Sequence, residues 1–124
     1  MKPRLTTEEI RALAATQELE YQAAVNKNSV GEREYKDSIL TLLKLSQSNN
    51  GAGELAAQVL LSLYNSTTYQ VPVANFGLLD AYNFDAALTA IKGRKFVFEE
   101  PHNVIQNGDA LFNDLKKRWP DLAK

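Results

Sequence analysis

The sequence "YKDSILTLLKLSQSNNGAGELAAQVLLSLY", residues 35–64, contains the clearest helical pattern of this chain. Apolar residues recur at the spacing of one helix face on each side of a break: Tyr35, Ile39, Leu42 and Leu43, then Leu55, Val59, Leu60 and Leu63. The break, "SQSNNGAG", consists of residues typical of turns. The pattern predicts one helix ending near Ser46 and a second over 51–64. We expect them to pack as an antiparallel hairpin that carries most of the core.

The composition of the chain limits both its size class and its chemistry. Its 124 residues suffice for one domain with its own core, so we predict a single domain over 1–124. Fourteen basic and fifteen acidic residues leave a net charge of −1, without the basic surplus typical of nucleic-acid binders. The absence of cysteine excludes disulfides, thiolate zinc sites and a cysteine nucleophile.

No segment of the sequence predicts a signal peptide or a membrane span. The N-terminal stretch turns acidic at Glu8 and Glu9, with no apolar run behind it. Residues 55–79 carry no charge, but their apolar part is shorter than the ~20 residues that a spanning helix needs. We therefore expect a cytoplasmic protein that does not contact a membrane.

Residues 7–27 are predicted to form a weakly apolar first helix. Thr6 and Glu9 fit a capping box, and Leu5 and Ile10 are placed to form a hydrophobic staple. Apolar positions are sparse and alanines are frequent, so this helix is expected at the periphery of the domain. It is the candidate surface for an unidentified protein partner or for a homodimer.

Caps and apolar spacing predict the remaining helices. Ser29 with Glu32 would start the helix that ends near Ser46, and Asn83 would start another that ends before Gly93. A last helix is expected over 109–118, ended by Pro120. The residues predicted to face the core in these last two helices are Phe84, Leu88, Ile91, Leu111, Phe112, Leu115 and Trp119.

Two short segments favour extended backbone. Residues 69–73 and 96–98 are rich in β-favouring residues and could pair as a minor two-stranded ribbon, although Pro72 argues against a central strand. The predicted fold class is therefore mainly α, a compact helical domain of about five helices, with this ribbon as its only candidate β piece.

The only histidine, His102, lies in "FVFEEPHNVIQNGD", residues 96–109. Because it follows Glu99 and Glu100, a small hydrolase or metal-dependent nuclease centred on this corner is one hypothesis. The spacing matches no catalytic or metal motif, and a zinc site would need further histidines or cysteines. The alternative is structural: Pro101 begins a helix, the glutamates lie near its positive end, and His102 bonds to the backbone. We predict no catalytic residue, no metal and no cofactor.

Basic and aromatic residues at helix ends form two further candidate sites. The basic residues could bind an anion or, weakly, a nucleic acid: Lys92, Arg94, Lys95, Lys116, Lys117 and Arg118. Cations are also favourable at helix C-termini for structural reasons, and the balanced net charge disfavours nucleic acid. Tyr64 and Trp119 are large enough to anchor a partner protein, although their spacing also continues apolar faces.

The second half contains a recognisable order of short elements. They are Tyr64 and Asn65 at a helix end, Leu79 with Asp80, the alanine-rich segment 86–91, Glu100-Pro101-His102, Asn107-Gly108, and Phe112, Leu115 and Trp119 in a terminal helix. In this order, residues 40–120 resemble an uncharacterised family of small bacterial proteins found largely on plasmids, integrated elements and phages. The resemblance implies no activity, cofactor or catalytic residue. It implies a mobile-element accessory protein, a class that often binds a host component.

These observations favour a non-enzymatic small interaction module that binds another protein. Interference with a host complex is the version that the resemblance implies. The hydrolase or nuclease centred on His102 and the weak nucleic-acid binder remain the alternatives.

Overall fold

A computed structural model describes residues 4–124, so residues 1–3 of the predicted domain lie outside the described part. These described residues form five α-helices: α1, Thr7–Asn28; α2, Glu32–Leu45; α3, Gly51–Tyr64; α4, Ala81–Phe96; and α5, Gly108–Arg118. Short 3₁₀ helices cover Val73–Leu78 and Pro120–Leu122. The prediction of a mainly helical fold is confirmed.

The hairpin of α2 and α3 supplies most of the core, as its apolar spacing predicts. The fully buried side chains of α2 include Tyr35, Ile39 and Leu42, and those of α3 include Leu60 and Leu61. Residues 46–50 connect the two helices, and the Asn50 side chain caps α3 by accepting a hydrogen bond from the Gly53 N–H (2.8 Å). The predicted start of this helix at residue 51 is therefore correct.

Helix α4 packs against α2 through small residues, which reverses the predicted orientation. Its buried positions are Ala86, Ala87, Ala90 and Gly93, whereas the residues predicted to face inward, Phe84, Leu88 and Ile91, are 38, 37 and 41% exposed. A Cβ added at Gly93 would lie 2.3 Å from a ring carbon of Tyr35. The large Tyr35 ring thus takes the space between the helices, and α4 must present small residues there.

Two predicted helix starts are wrong because other residues cap the helices. Helix α2 begins after Gly31, whose N–H donates to the Glu34 carboxylate (3.4 Å), while Ser29 terminates α1. Helix α4 begins after Asp80, whose carboxylate accepts from the Asn83 N–H (2.8 Å). The observed N-cap thus lies two residues after the predicted one in α2 and three residues before it in α4.

The candidate two-stranded ribbon is absent from the described residues 4–124. The first segment runs into the 3₁₀ helix Val73–Leu78, which begins just after Pro72, a residue without an N–H for a ladder. In the second segment Val97 has helical backbone angles and Phe98 has a φ of 64°, so neither is extended. Local turn geometry therefore overrides the β-favouring side chains.

Helix α5 closes the domain over the hairpin. Phe112 and Leu115 are buried as predicted, but Leu111 is 37% exposed. The helix begins at Gly108, after Asn107 in the left-handed region (φ 57°), a conformation that asparagine tolerates better than most residues. Pro101 does not begin a helix; it is buried in a turn that precedes this start.

Candidate functional site

Helix α1 exposes apolar side chains along its whole length. None of its 22 residues is buried. Ile10, Leu13, Leu19 and Tyr21 are 53, 49, 72 and 63% exposed, and Leu5, just before the helix, is 53% exposed. Ile10, Leu13 and Tyr21 lie on one side of the helix and Leu19 on the other. An exposed apolar face such as that of the first three residues is typical of a surface that another molecule covers.

Local interactions, rather than tertiary packing, hold α1 in helical form. Thr6 accepts a hydrogen bond from the Glu9 N–H (3.1 Å), and the Glu9 carboxylate accepts from the Thr6 N–H (3.4 Å), so the predicted capping box is confirmed. At the other end the Ser29 hydroxyl donates to the Val25 carbonyl (2.6 Å). The helix is thus formed and presented without burying its apolar residues.

The last turns of α1 and α4 enclose an apolar groove of about 370 Å³. Its lining residues are Tyr21, Ala24, Val25 and Asn28 from α1, and Ile91, Lys92, Lys95 and Phe96 from α4. The α4 residues point outward because the opposite face of that helix is held against Tyr35. The tight packing of α2 and α4 therefore positions half of the groove.

Phe98 adds an exposed aromatic ring beyond the end of α4. It is 82% exposed and lies two residues after Phe96, which lines the groove. Its positive φ is unusual for a bulky side chain and is a local strain of the kind that occurs at functional surfaces. Sequence analysis missed Phe98 and Tyr21, since neither backbone strain nor the packing direction of α4 is visible in apolar spacing.

The His102 corner is a packed turn rather than a cleft. The imidazole lies edge-on to Tyr64 (ring centroids 5.0 Å apart) and to Phe112 (6.1 Å). Its Nε2 is 3.7 Å from the Asp109 carboxylate, and its buried Nδ1 has no hydrogen-bond partner. The predicted bond from His102 to the backbone is not formed.

The two glutamates before His102 serve the packing of α2 and α4. The Glu100 carboxylate pairs with Arg94 at 3.0 Å, and the backbone carbonyl of Glu99 accepts from the buried Tyr35 hydroxyl at 2.9 Å. Glu100 is thus paired with a cation instead of with His102. The pairing of His102 with Glu100 that the hydrolase hypothesis invokes is therefore not formed, and the imidazole instead lies 3.7 Å from the Asp109 carboxylate.

Tyr35 makes the stability of this packing sensitive to alkaline pH. Burial raises the pKa of Tyr35 to about 12, against a smaller opposing effect of Arg94 and with still smaller contributions from Glu100 and Glu99 in the same direction as burial. Because the ordinary pKa is about 10, the fold favours neutral Tyr35, and its contribution is complete below pH ~10 and lost as pH rises towards ~12. We expect the free energy of unfolding to fall by roughly 2–3 kcal/mol across that window.

Urea unfolding at a series of alkaline pH values measures this loss. The Tyr35→Phe variant cannot ionise at this position and should decline less steeply between pH ~10 and ~12, where the buried group titrates. Equal slopes for the two proteins would show that the titration of Tyr35 does not control the alkaline stability.

Tyr64 and Trp119, the predicted partner anchors, both pack against the core. The Trp119 indole N–H donates to the Ser46 carbonyl (3.0 Å), and the Tyr64 hydroxyl accepts from Lys116 (3.1 Å). Both side chains remain half-buried. Their contacts hold α5 against the hairpin, so neither side chain is a free anchor for a partner.

The structure does not bring the two basic clusters together. Arg94 lies beside Tyr35 at the start of α2, whereas Arg118 donates to the carbonyls of Ser46 and Gln47 at its end. Tyr35 and Ser46 are eleven residues apart, which is about 16 Å along a helix. Arg118 also donates to the Asn49 side chain (2.8 Å), so it caps the α2–α3 turn.

The other four basic residues also have described positions. Lys116 lies over the Tyr64 ring, 4.3 Å from its centroid, and Lys117 is exposed. Lys92 and Lys95 lie at the α1–α4 groove. Half of the predicted anion-binding set, Arg94, Lys116 and Arg118, therefore has partners within the chain.

Two observations concern metals and membranes. Among residues 4–124, no three histidine, aspartate or glutamate side chains come together in an arrangement that could hold a metal ion. None of the helices in this range combines the length and apolar character needed to cross a membrane.

Comparison with known proteins gives one family match. The model of a family of unknown function (DUF7673) matches residues 36–120. The match includes α3, α4 and α5 and most of α2, and it leaves α1 outside. No curated protein and no solved structure matches the chain. The resemblance to a family without a known activity is thus confirmed over nearly the region that the sequence indicated.

Proposed function

This chain belongs to the family of unknown function DUF7673, and we propose that it is a non-enzymatic module that binds another protein through α1 and the α1–α4 groove. The observation that carries the proposal is the exposure of α1. It is a complete helix, capped at both ends, whose large apolar side chains are left uncovered. Protein interfaces are enriched in aromatic anchors, and Tyr21 and Phe98 supply two at this surface.

The proposal extends to a biological setting through the resemblance. A bacterial accessory protein of a mobile element, acting in the cytoplasm on a host complex, would need a compact body and a separate recognition element. The body here is the region that the family model matches, and α1 precedes it. The proposed host partner would therefore contact α1, outside the matched region, together with the α4 residues of the groove, which lie inside it.

Photo-crosslinking in bacterial cells that express the chain tests this proposal. A photoreactive amino acid replaces either Tyr21, on the groove, or Leu19, which is 72% exposed and lies two residues away on another side of the helix. We expect position 21 to give a discrete crosslinked product, because an interface covers it, and position 19 to give little. Mass spectrometry of the product identifies the partner.

Loss of binding completes the test. With the photoreactive residue in place of Phe98, Tyr21→Glu should abolish the crosslinked product and Leu19→Glu should preserve it. Circular dichroism should show equal helix content in the two variants. Equal crosslinking at positions 19 and 21, or no product from either, would contradict a protein-binding role for this surface.

A further inference from the structure

We propose that the partner of α1 is a second copy of this chain, bound as an antiparallel pair of α1 helices in which each N-terminal end lies at the other copy's α1–α4 groove. This inference rests on the proposed function, because it names the occupant of the same surface. The argument depends on the face of α1, its charges and its continuity with the groove.

One face of α1 combines its apolar residues with the groove. At 100° per residue, nine side chains of α1 lie within about 60° of Ile10. They are Thr7, Ile10, Leu13, Ala14, Gln17, Tyr21, Ala24, Val25 and Asn28. The last four of these residues, from Tyr21 to Asn28, face α4 and line the groove. The exposed face of α1 and the groove therefore form one continuous surface.

The charges on α1 favour an antiparallel pair over a parallel one. Glu9 in the first turn and Lys27 in the last turn lie on the same flank of this face, each about 100° from Ile10. Lys92 and Lys95 line the groove beside the last turn. Antiparallel pairing brings Glu9 of each copy towards these lysines of the other copy, whereas parallel pairing would bring the lysines of both copies together, which is unfavourable.

The side chains on this face also match in the antiparallel direction. With the two-fold axis near Gln17, residues whose numbers add to about 35 lie opposite one another. Ile10 then faces Val25 of the other copy, and Ala14 faces Tyr21, so that a small residue meets a large one. Glu9 and Lys27 lie on the same flank of the helix and become neighbours across the pair.

The size of this surface predicts a weak dimer. The face, its flanking charges and the four α4 residues of the groove give about sixteen residues per copy. A standard interface has ~20–30 residues a side and buries ~1,600 Å², so this one would bury about 1,000 Å². That value is at the lower limit for a specific interface and in the range of weak, transient complexes, so we expect a micromolar dissociation constant.

Solution mass as a function of concentration tests the dimer. Light scattering from about 1 to 500 µM should show a rise from one to two chain masses, the range expected for micromolar affinity. Tyr21→Glu should weaken dimerisation about 30-fold or more, because each dimer contains two copies of an aromatic anchor. Leu19→Glu adds the same charge about 180° from Ile10 and should change the dissociation constant less than about twofold.

Single cysteines test the direction of the pair, since the chain contains none. Gln17→Cys, near the two-fold axis, should form a disulfide-linked dimer, and Leu19→Cys should not. Ile10→Cys and Val25→Cys should each stay unlinked alone but link when the two variants are mixed. Self-linkage of Ile10→Cys would instead indicate a parallel pair and overturn the proposed geometry.

The outcomes separate this inference from the proposed function. A chain that stays monomeric at every concentration overturns the homodimer. If position 21 nevertheless crosslinks to a different protein in cells, the protein-binding role stands. If the chain is monomeric and position 21 gives no product, both proposals are overturned.

Discussion

Gly108→Ala is expected to lower the free energy of unfolding by about 3–5 kcal/mol, among the largest effects that a single methyl group produces. A Cβ at this position would lie 1.6 Å from the His102 carbonyl oxygen and 2.6 Å from its carbon. These are backbone atoms, so no side-chain rotation can relieve the contact. The turn between Pro101 and Asn107 would have to move, and with it the start of α5.

Gly77→Ala is the matched control for this variant. A Cβ added at Gly77 meets nothing within 4 Å, and no glycine in residues 4–124 has a positive φ. We therefore expect a change within about 0.5 kcal/mol there. Urea unfolding followed by circular dichroism measures both. A Gly108→Ala protein within about 1 kcal/mol of the parent would show that His102 and Gly108 are not in such close contact.

The second large effect is expected for Gly93→Ala, where two physical tendencies oppose each other. Alanine favours a helix interior by about 1 kcal/mol over glycine. However, its Cβ would lie 2.3 Å from Cδ1, 2.4 Å from Cγ and 2.8 Å from Cβ of the fully buried Tyr35. Overpacking should win, so that the variant loses about 2–3 kcal/mol of stability overall.

A double-mutant cycle with Tyr35→Ala tests the cause of that loss. Without the ring, Gly93→Ala should cost less than about 1 kcal/mol, because the two nearest atoms are gone. If Gly93→Ala instead raises the unfolding temperature, the helix propensity of alanine outweighs the overpacking, which requires that α4 can shift away from α2. In that case the shift would also move Ile91 and Phe96, and crosslinking from position 98 should weaken.

The position of Gly108 explains why two distinctive short motifs both occur in this sequence. Glu100-Pro101-His102 and Asn107-Gly108 are separate in sequence, but Gly108 lies against the backbone of His102. Asp80, which follows Leu79, caps α4. These short motifs of the second half thus build the turns that join α3, α4 and α5. The candidate binding surface on α1 lies outside them.

Local sequence was sufficient for much of the helical framework. The spacing of apolar residues located α2, α3 and α5, and Thr6 with Glu9 identified the start of α1, because capping and one-sided apolar faces involve residues within a few positions of one another. The exposed, weakly apolar character of α1 was visible for the same reason.

Other features depended on contacts between residues far apart in sequence. Apolar spacing alone predicted that Phe84, Leu88 and Ile91 would be buried. The Tyr35 ring, 58 residues before Gly93, decided that the alanine face of α4 turns inward and that Ile91 reaches the groove. Burial is a property of pairs of packed surfaces, so the sequence determined which helices form, and the tertiary structure determined which face of α4 remains available to a partner.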